Sequence, residues 1–174
     1  MTLFVRMVHG LSLLCGVVAA GLIAAAVVVV CQMVFIRYVL NDNTIWQTDF
    51  VTFSLVGATF IGAPFVLMTK GHVNVDVVPL ALGARGRFWL AVIATTLSMA
   101  FALVMTVLTI QFWQEAWDND WQSESIWRVR LWIPYAAMPI GLGILTLQYV
   151  ADFLELMTGR VRPYAGEVPE QVDA

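Results

Sequence analysis

Hydrophobic and polar positions are segregated into blocks along this chain rather than interleaved. Four stretches, Met7–Ile36, Phe50–Thr69, Phe88–Gln114 and Leu131–Ala151, contain no Asp, Glu, Lys or Arg. A helix needs about 20 apolar residues to cross a hydrocarbon core of about 30 Å. Each stretch is long enough. The pattern therefore predicts an all-α integral membrane protein with four transmembrane helices, over about 11–36, 50–69, 88–112 and 131–151. Residues 1–158 make the transmembrane domain. The polar, proline-containing segment 159–174 is expected to be a mobile cytoplasmic tail.

Composition agrees. The 174 residues are 60% hydrophobic and 12% charged, with mean hydropathy +0.82. Soluble domains carry about 25% charged residues. The spans use most of the chain, which leaves no length for a second domain. Arg6 followed by an apolar run resembles a signal peptide, and Ala19-Ala20-Gly21 offers a cleavage site. Signal h-regions run only about 7–15 residues, however, so an uncleaved first helix is the better reading. Cys15 and Cys31 both lie on that helix. They are about 24 Å apart along it and cannot pair with each other.

Charge distribution predicts orientation. Arg6, Lys70, Arg85, Arg87, Arg160 and Arg162 flank one side of the spans, and Arg37, Arg128 and Arg130 the other. The positive-inside rule puts the larger set and both termini in the cytoplasm, with the loops 41–48 and 113–130 outside. The segment His72–Leu82 is too short to span and too apolar to float. It is expected to lie along the cytoplasmic interface.

Breakers divide the spans. Asn41-Asp42-Asn43 predicts a turn, with Asn43 or Thr44 capping helix two. Pro64 removes one backbone bond within helix two and leaves the Phe60 carbonyl for a neighbour to satisfy. Gly57 and Gly62 permit close approach of another helix. Pro134 suits the first turn of helix four. Pro139 is expected to kink it and to free the Tyr135 carbonyl, with Gly141 and Gly143 following. In helix three, Trp113, Trp117 and Trp121 recur every four residues and make one stripe if the helix continues past the bilayer.

The spans hold no acid or base at mid-depth, which ion-coupled carriers and proton relays normally need. This argues against a chain that transports alone. His9 and His72 suggest a rival reading, a haem- or quinone-linked anchor of a redox complex. Both sit at helix margins, unlike axial ligands that project into a bundle interior. No zinc-protease, phosphate-loop or nucleophile-elbow motif occurs, so no enzyme activity and no cofactor are expected, and nothing suggests nucleic acid.

One ordered set of residues is more specific. Arg37-Tyr38-Val39-Leu40-Asn41 is followed by Trp46-Gln47-Thr48-Asp49, by Gly62-Ala63, and by Gly71-His72-Val73-Asn74-Val75-Asp76. Trp132-Ile133-Pro134-Tyr135 and Pro139-Ile140-Gly141 come later. The set resembles the small membrane subunit, the DctQ-like component, of tripartite ATP-independent periplasmic (TRAP) transporters. That family shows R-Y-x-x-N, W-x-x-E, a Gly-Ala pair and G-H-x-x-x-D. Asp49 departs from it, keeping the charge but shortening the reach. The resemblance implies a non-catalytic subunit in the inner membrane that acts as scaffold for a large multi-span subunit. The latter carries an organic anion and sodium, and a periplasmic binding protein delivers the substrate.

Three expectations concern particular side chains. Arg37 and Asp49 pair across the hairpin, or else act as independent interfacial anchors. His72 and Asp76, four apart, organise the cytoplasmic segment or are separately solvated. Trp113, Trp117, Asp118, Asp120 and Glu124, with Trp46, form either an aromatic belt with a solvated acidic end or a docking face for the binding protein.

Overall fold

The computed structural model describes residues 2–69 and 84–158, and these fold as long helices. Helix α1 covers Thr2–Phe35 and runs on into a π-helical turn, Ile36–Leu40. Helix α2 is Gln47–Met68 and α3 is Ala84–Asp118. The fourth span is divided into a short α4, Trp132–Tyr135, and α5, Ala137–Met157. Four helical segments are long and apolar enough to cross a membrane: Leu3–Leu40, Gln47–Met68, Phe88–Asp118 and Trp132–Met157.

All four extend beyond their charge-free blocks, α2 only by the turn that holds Asp49. At about 1.5 Å per residue, α1 and α3 are each about 50 Å long, well beyond a hydrocarbon core of about 30 Å. The reason is that a helix satisfies its backbone internally in water as well as in lipid. Arg6, Glu115, Asp118, Asp152 and Glu155 mark where the polar phase begins, not where the helix stops.

Packing is uneven. Among the described helices, α1, α2 and α5 contact one another, whereas α3 meets only α4 and α5. Small residues dominate the buried positions: Ala19, Ala26, Ala58, Ala91, Ala102, Ala116 and Ala151. Large side chains such as Leu14, Val28, Leu97, Phe101 and Val104 are exposed. A soluble domain would reverse this. Lipid is as apolar as leucine, so helices associate by shape, and small residues let their backbones approach.

The π-helical turn ends at Asn41, which adopts φ 51° and donates its N–H to the Ile36 carbonyl. Asparagine tolerates this left-handed geometry better than most side chains. The expected cap of α2 is not formed. Trp46 occupies the N-cap position with no side-chain cap. Thr44 instead accepts a hydrogen bond from Arg37.

The tryptophan stripe is also revised. Helix α3 ends at Asp118, and Trp121 lies beyond it. The chain reverses there through Asp120 at φ 44° and returns through Arg128 at φ 47°. Between them Gln122 and Arg130 form an isolated antiparallel bridge. The Ser123 N–H donates to the Val129 carbonyl at 2.9 Å, and the Leu131 N–H to the Trp121 carbonyl at 2.8 Å. Residues 119–131 are thus a closed hairpin, although no alternation of apolar positions announces one.

The His72–Leu82 segment, with His72 and Asp76, and the 159–174 tail lie outside the described residues.

Candidate functional site

Two regions gather the side chains that sequence singles out. The first is the crossing of α2 and α5. Pro64 is fully buried inside α2. Its ring nitrogen cannot donate, so the Phe60 carbonyl loses its helical partner. Gly141 of α5 packs directly on that carbonyl: a Cβ there would run into Phe60 O and C and lie 2.9 Å from the Ile61 nitrogen. The hydrogen that glycine carries in place of Cβ therefore points at the orphaned oxygen, in a Cα–H···O contact. Pro64 opens the ladder, and only glycine lets α5 come close enough to cover it.

The two glycines of α2 face α1 of the same chain. A Cβ at Gly62 would lie 3.1 Å from the Ala19 Cβ, and one at Gly57 would lie 3.4 Å from Leu22 Cδ1. Gly16 of α1 is tighter still. A Cβ there would sit 2.5 Å from the Phe65 ring. Sequence reading marked Gly57 and Gly62 and missed Gly16, whose partner is a side chain far along the chain.

Pro134 lies in the single turn of α4, as expected of a first-turn proline. Pro139 falls in the first turn of α5, so the interruption comes at Ala136 rather than mid-helix. Ala136 keeps right-handed angles, φ −58° and ψ −26°. The span is divided there without a sharp bend.

The second region is the hairpin end. Arg37 and Asp49 do not pair. Arg37 Nε donates to Thr44 Oγ1 at 2.8 Å. Asp49 Oδ2 accepts from the hydroxyls of Ser123, at 3.3 Å, and Ser125. The short Asp49 side chain therefore ties the first turn of α2 to the 119–131 hairpin. The Ser123 and Ser125 hydroxyl oxygens themselves lie 3.0 Å apart, so the three groups form one compact cluster. Arg130 pairs with Asp120 at 3.7 Å, well exposed.

Aromatic rings extend the same junction. Trp46 meets Phe50 with centroids 6.0 Å apart and Trp127 at 6.1 Å. Trp113 and Trp117 meet at 5.8 Å with their rings tilted, and Trp117 meets Trp132 edge-on at 4.4 Å. The Trp113 Nε1–H donates to the Trp132 carbonyl at 2.9 Å. Phe112 contacts both Trp121 and Tyr135. Asp118 and Glu124 are exposed beside this cluster. Tyr38 and Ile126 project outward, 81% and 83% exposed.

Polar groups inside the helices are few and most are satisfied, although the buried Gln47 Oε1 has no hydrogen-bond partner among the described residues. Thr52, Thr59, Thr96, Thr106, Thr109 and Thr146 each donate to a carbonyl one turn back. Thr106 and Thr146 also meet across α3 and α5 at 3.1 Å. Ser12 Oγ donates to Gln148 Oε1 at 2.9 Å, both residues fully buried, and Gln148 Nε2 donates to Asp152 Oδ1 at 2.9 Å. An apolar cleft of about 270 Å³ lies between α1, α2 and α5, beneath Trp127 and Val129. Its walls include Ser54, Gly57, Pro134 and Ala137.

The family model described as "Tripartite ATP-independent periplasmic transporters, DctQ component" matches residues 26–159. This chain belongs to the DctQ family. It is also 28% identical over 160 residues to the C4-dicarboxylate TRAP transporter small permease protein DctQ of Vibrio cholerae, which covers 79% of this chain and 69% of that protein. No solved structure matches. With four apolar helices, this DctQ-family chain is a multi-pass inner-membrane protein. The match takes in the Gly141–Phe60 crossing, the Asp49 junction and the hairpin, and begins after His9 and Ser12.

Proposed function

We propose that this chain is the small permease subunit of a TRAP system that imports a C4-dicarboxylate or similar organic anion. It acts as a non-catalytic scaffold. A large membrane subunit carries substrate and sodium, and a periplasmic binding protein delivers the anion. The relative from Vibrio cholerae, named for C4-dicarboxylates, supports the substrate class.

The observation that carries this reading is the open packing of α3. Among the described residues it packs against the fourth span and the Trp121 ring of the hairpin, and leaves Trp89, Ile93, Leu97, Phe101 and Val104 exposed along its length. Among the described residues, no Asp, Glu, Lys, Arg or His sits within the helical middles, so the bundle is read as a surface rather than a translocation path. The hairpin end faces the periplasm in this reading, since it carries three of the nine Lys and Arg residues. The acidic–aromatic group Trp113, Trp117, Asp118, Asp120 and Glu124 then faces the binding protein. Basic patches on that protein would complement it.

Reconstitution tests the proposal. Liposomes containing this chain alone should not accumulate a C4-dicarboxylate under a sodium gradient. Adding the large subunit and the binding protein should give uptake, and omitting this chain should abolish it. Uptake by the chain alone, or full uptake without it, overturns the reading.

A further inference from the structure

The end of the bundle away from the hairpin brings together three side chains that no part of the transport reading uses. His9 projects from α1. Asp152 and Glu155, three residues apart, share one face of α5. One ligand atom from each lies within 4.8 Å of the others, and all three residues are half-buried. We infer that His9, Asp152 and Glu155 form a divalent transition-metal site that staples the first span to the last.

The donor set suits this class of ion. One imidazole nitrogen and two carboxylates are ligands for Zn²⁺, Mn²⁺ or Fe²⁺, and the imidazole disfavours Mg²⁺ and Ca²⁺, which prefer oxygen alone. Ligands of Zn²⁺ sit about 2.0–2.2 Å from the ion and so about 3–4 Å from one another. The three donors need draw together by only about 1 Å, within the reach of side-chain rotation.

The surroundings resemble the outer shell of such a site. The Asp152 carboxylate is aimed by the Gln148 amide, and the Gln148 carbonyl is in turn held by the Ser12 hydroxyl. Hydrogen bonds of this kind orient carboxylate ligands. Asp152 makes a further interaction besides. The chain of bonds starts on α1, crosses to α5 within the apolar interface and ends on Asp152. Adhesion alone does not require that end point. The inference is independent of the transport reading.

The test uses the full chain, purified metal-free in lipid nanodiscs. Zn²⁺ titrated by calorimetry should bind with one saturating equivalent and raise the thermal midpoint by several degrees. Co²⁺ should give visible d–d bands. His9→Ala and Glu155→Gln should each weaken Zn²⁺ binding by about tenfold or more. His72→Ala should leave it unchanged. The Glu155→Gln variant keeps size and hydrogen bonding, so it answers the question even if His9→Ala fails to fold. Absence of saturable Zn²⁺ binding overturns the site. So does binding that survives Glu155→Gln at full strength, or that is lost in His72→Ala.

Discussion

Gly141 lies on the carbonyl of Phe60, the oxygen that Pro64 leaves without a helical partner. Two breakers, more than seventy residues apart, thus make a single contact. Gly141→Ala should push α5 off α2 and cost about 1–3 kcal/mol, in the range of overpacking in a tight interface. Gly143→Ala serves as the comparison, since its Cβ would meet only Thr106 Cγ2 at 4.0 Å. Thermal unfolding in nanodiscs should show a clear fall for the first and little change for the second. Equal midpoints would remove the special role of the crossing.

Asp49 and Ser125 should be energetically coupled, and Asp49 and Arg37 should not. A hydrogen bond to a charged group contributes about 1.5–3 kcal/mol when well made. A double-mutant cycle on Asp49→Ala and Ser125→Ala should therefore give a non-additive term, while Asp49→Ala with Arg37→Ala should add. Because Trp46 and Trp127 meet at this junction, tryptophan fluorescence of Asp49→Ala should shift as the hairpin loosens. An additive Asp49–Ser125 cycle would dismiss the junction.

Ser12 and Gln148 illustrate a different asymmetry. Gln148→Leu alone leaves the buried Ser12 hydroxyl without its acceptor, at about 1–3 kcal/mol. Adding Ser12→Ala removes the stranded group. The double variant should unfold at a higher temperature than Gln148→Leu alone. If the double variant is the less stable, the bond carries more than local pairing.

Charge reversal at the hairpin end separates docking from anchoring. Asp120 is tied to Arg130, so its reversal disturbs the loop itself. Asp118→Lys with Glu124→Lys is the cleaner probe. Docking predicts that binding-protein-dependent uptake falls while the membrane complex still co-purifies. It also predicts wild-type uptake that weakens with salt, as contacts between exposed charges are screened over about 8–10 Å. Unchanged uptake leaves these residues as headgroup anchors.

Local chemistry made much of this protein legible before folding. Charge-free blocks gave the four spans, because a bilayer admits few ionised groups. Proline and glycine positions marked Pro64 with its freed Phe60 carbonyl, and Gly141 separately, because their backbone effects do not depend on neighbours. The motif from Arg37 to Asp76 pointed to the family that residues 26–159 match.

Pairing was another matter. Arg37 and Asp49 are twelve residues apart around a turn, and proximity in sequence suggested an ion pair. The fold instead brings Ser123 and Ser125 onto Asp49 across seventy-odd residues and leaves Arg37 with Thr44. The Gly16–Phe65 and Ser12–Gln148 contacts have the same character. Hydropathy says that a helix is in the membrane, but lipid and protein are equally apolar to it. Which helix meets which is therefore decided by shape and by a few hydrogen bonds between distant residues, and these exist only once the helices have packed.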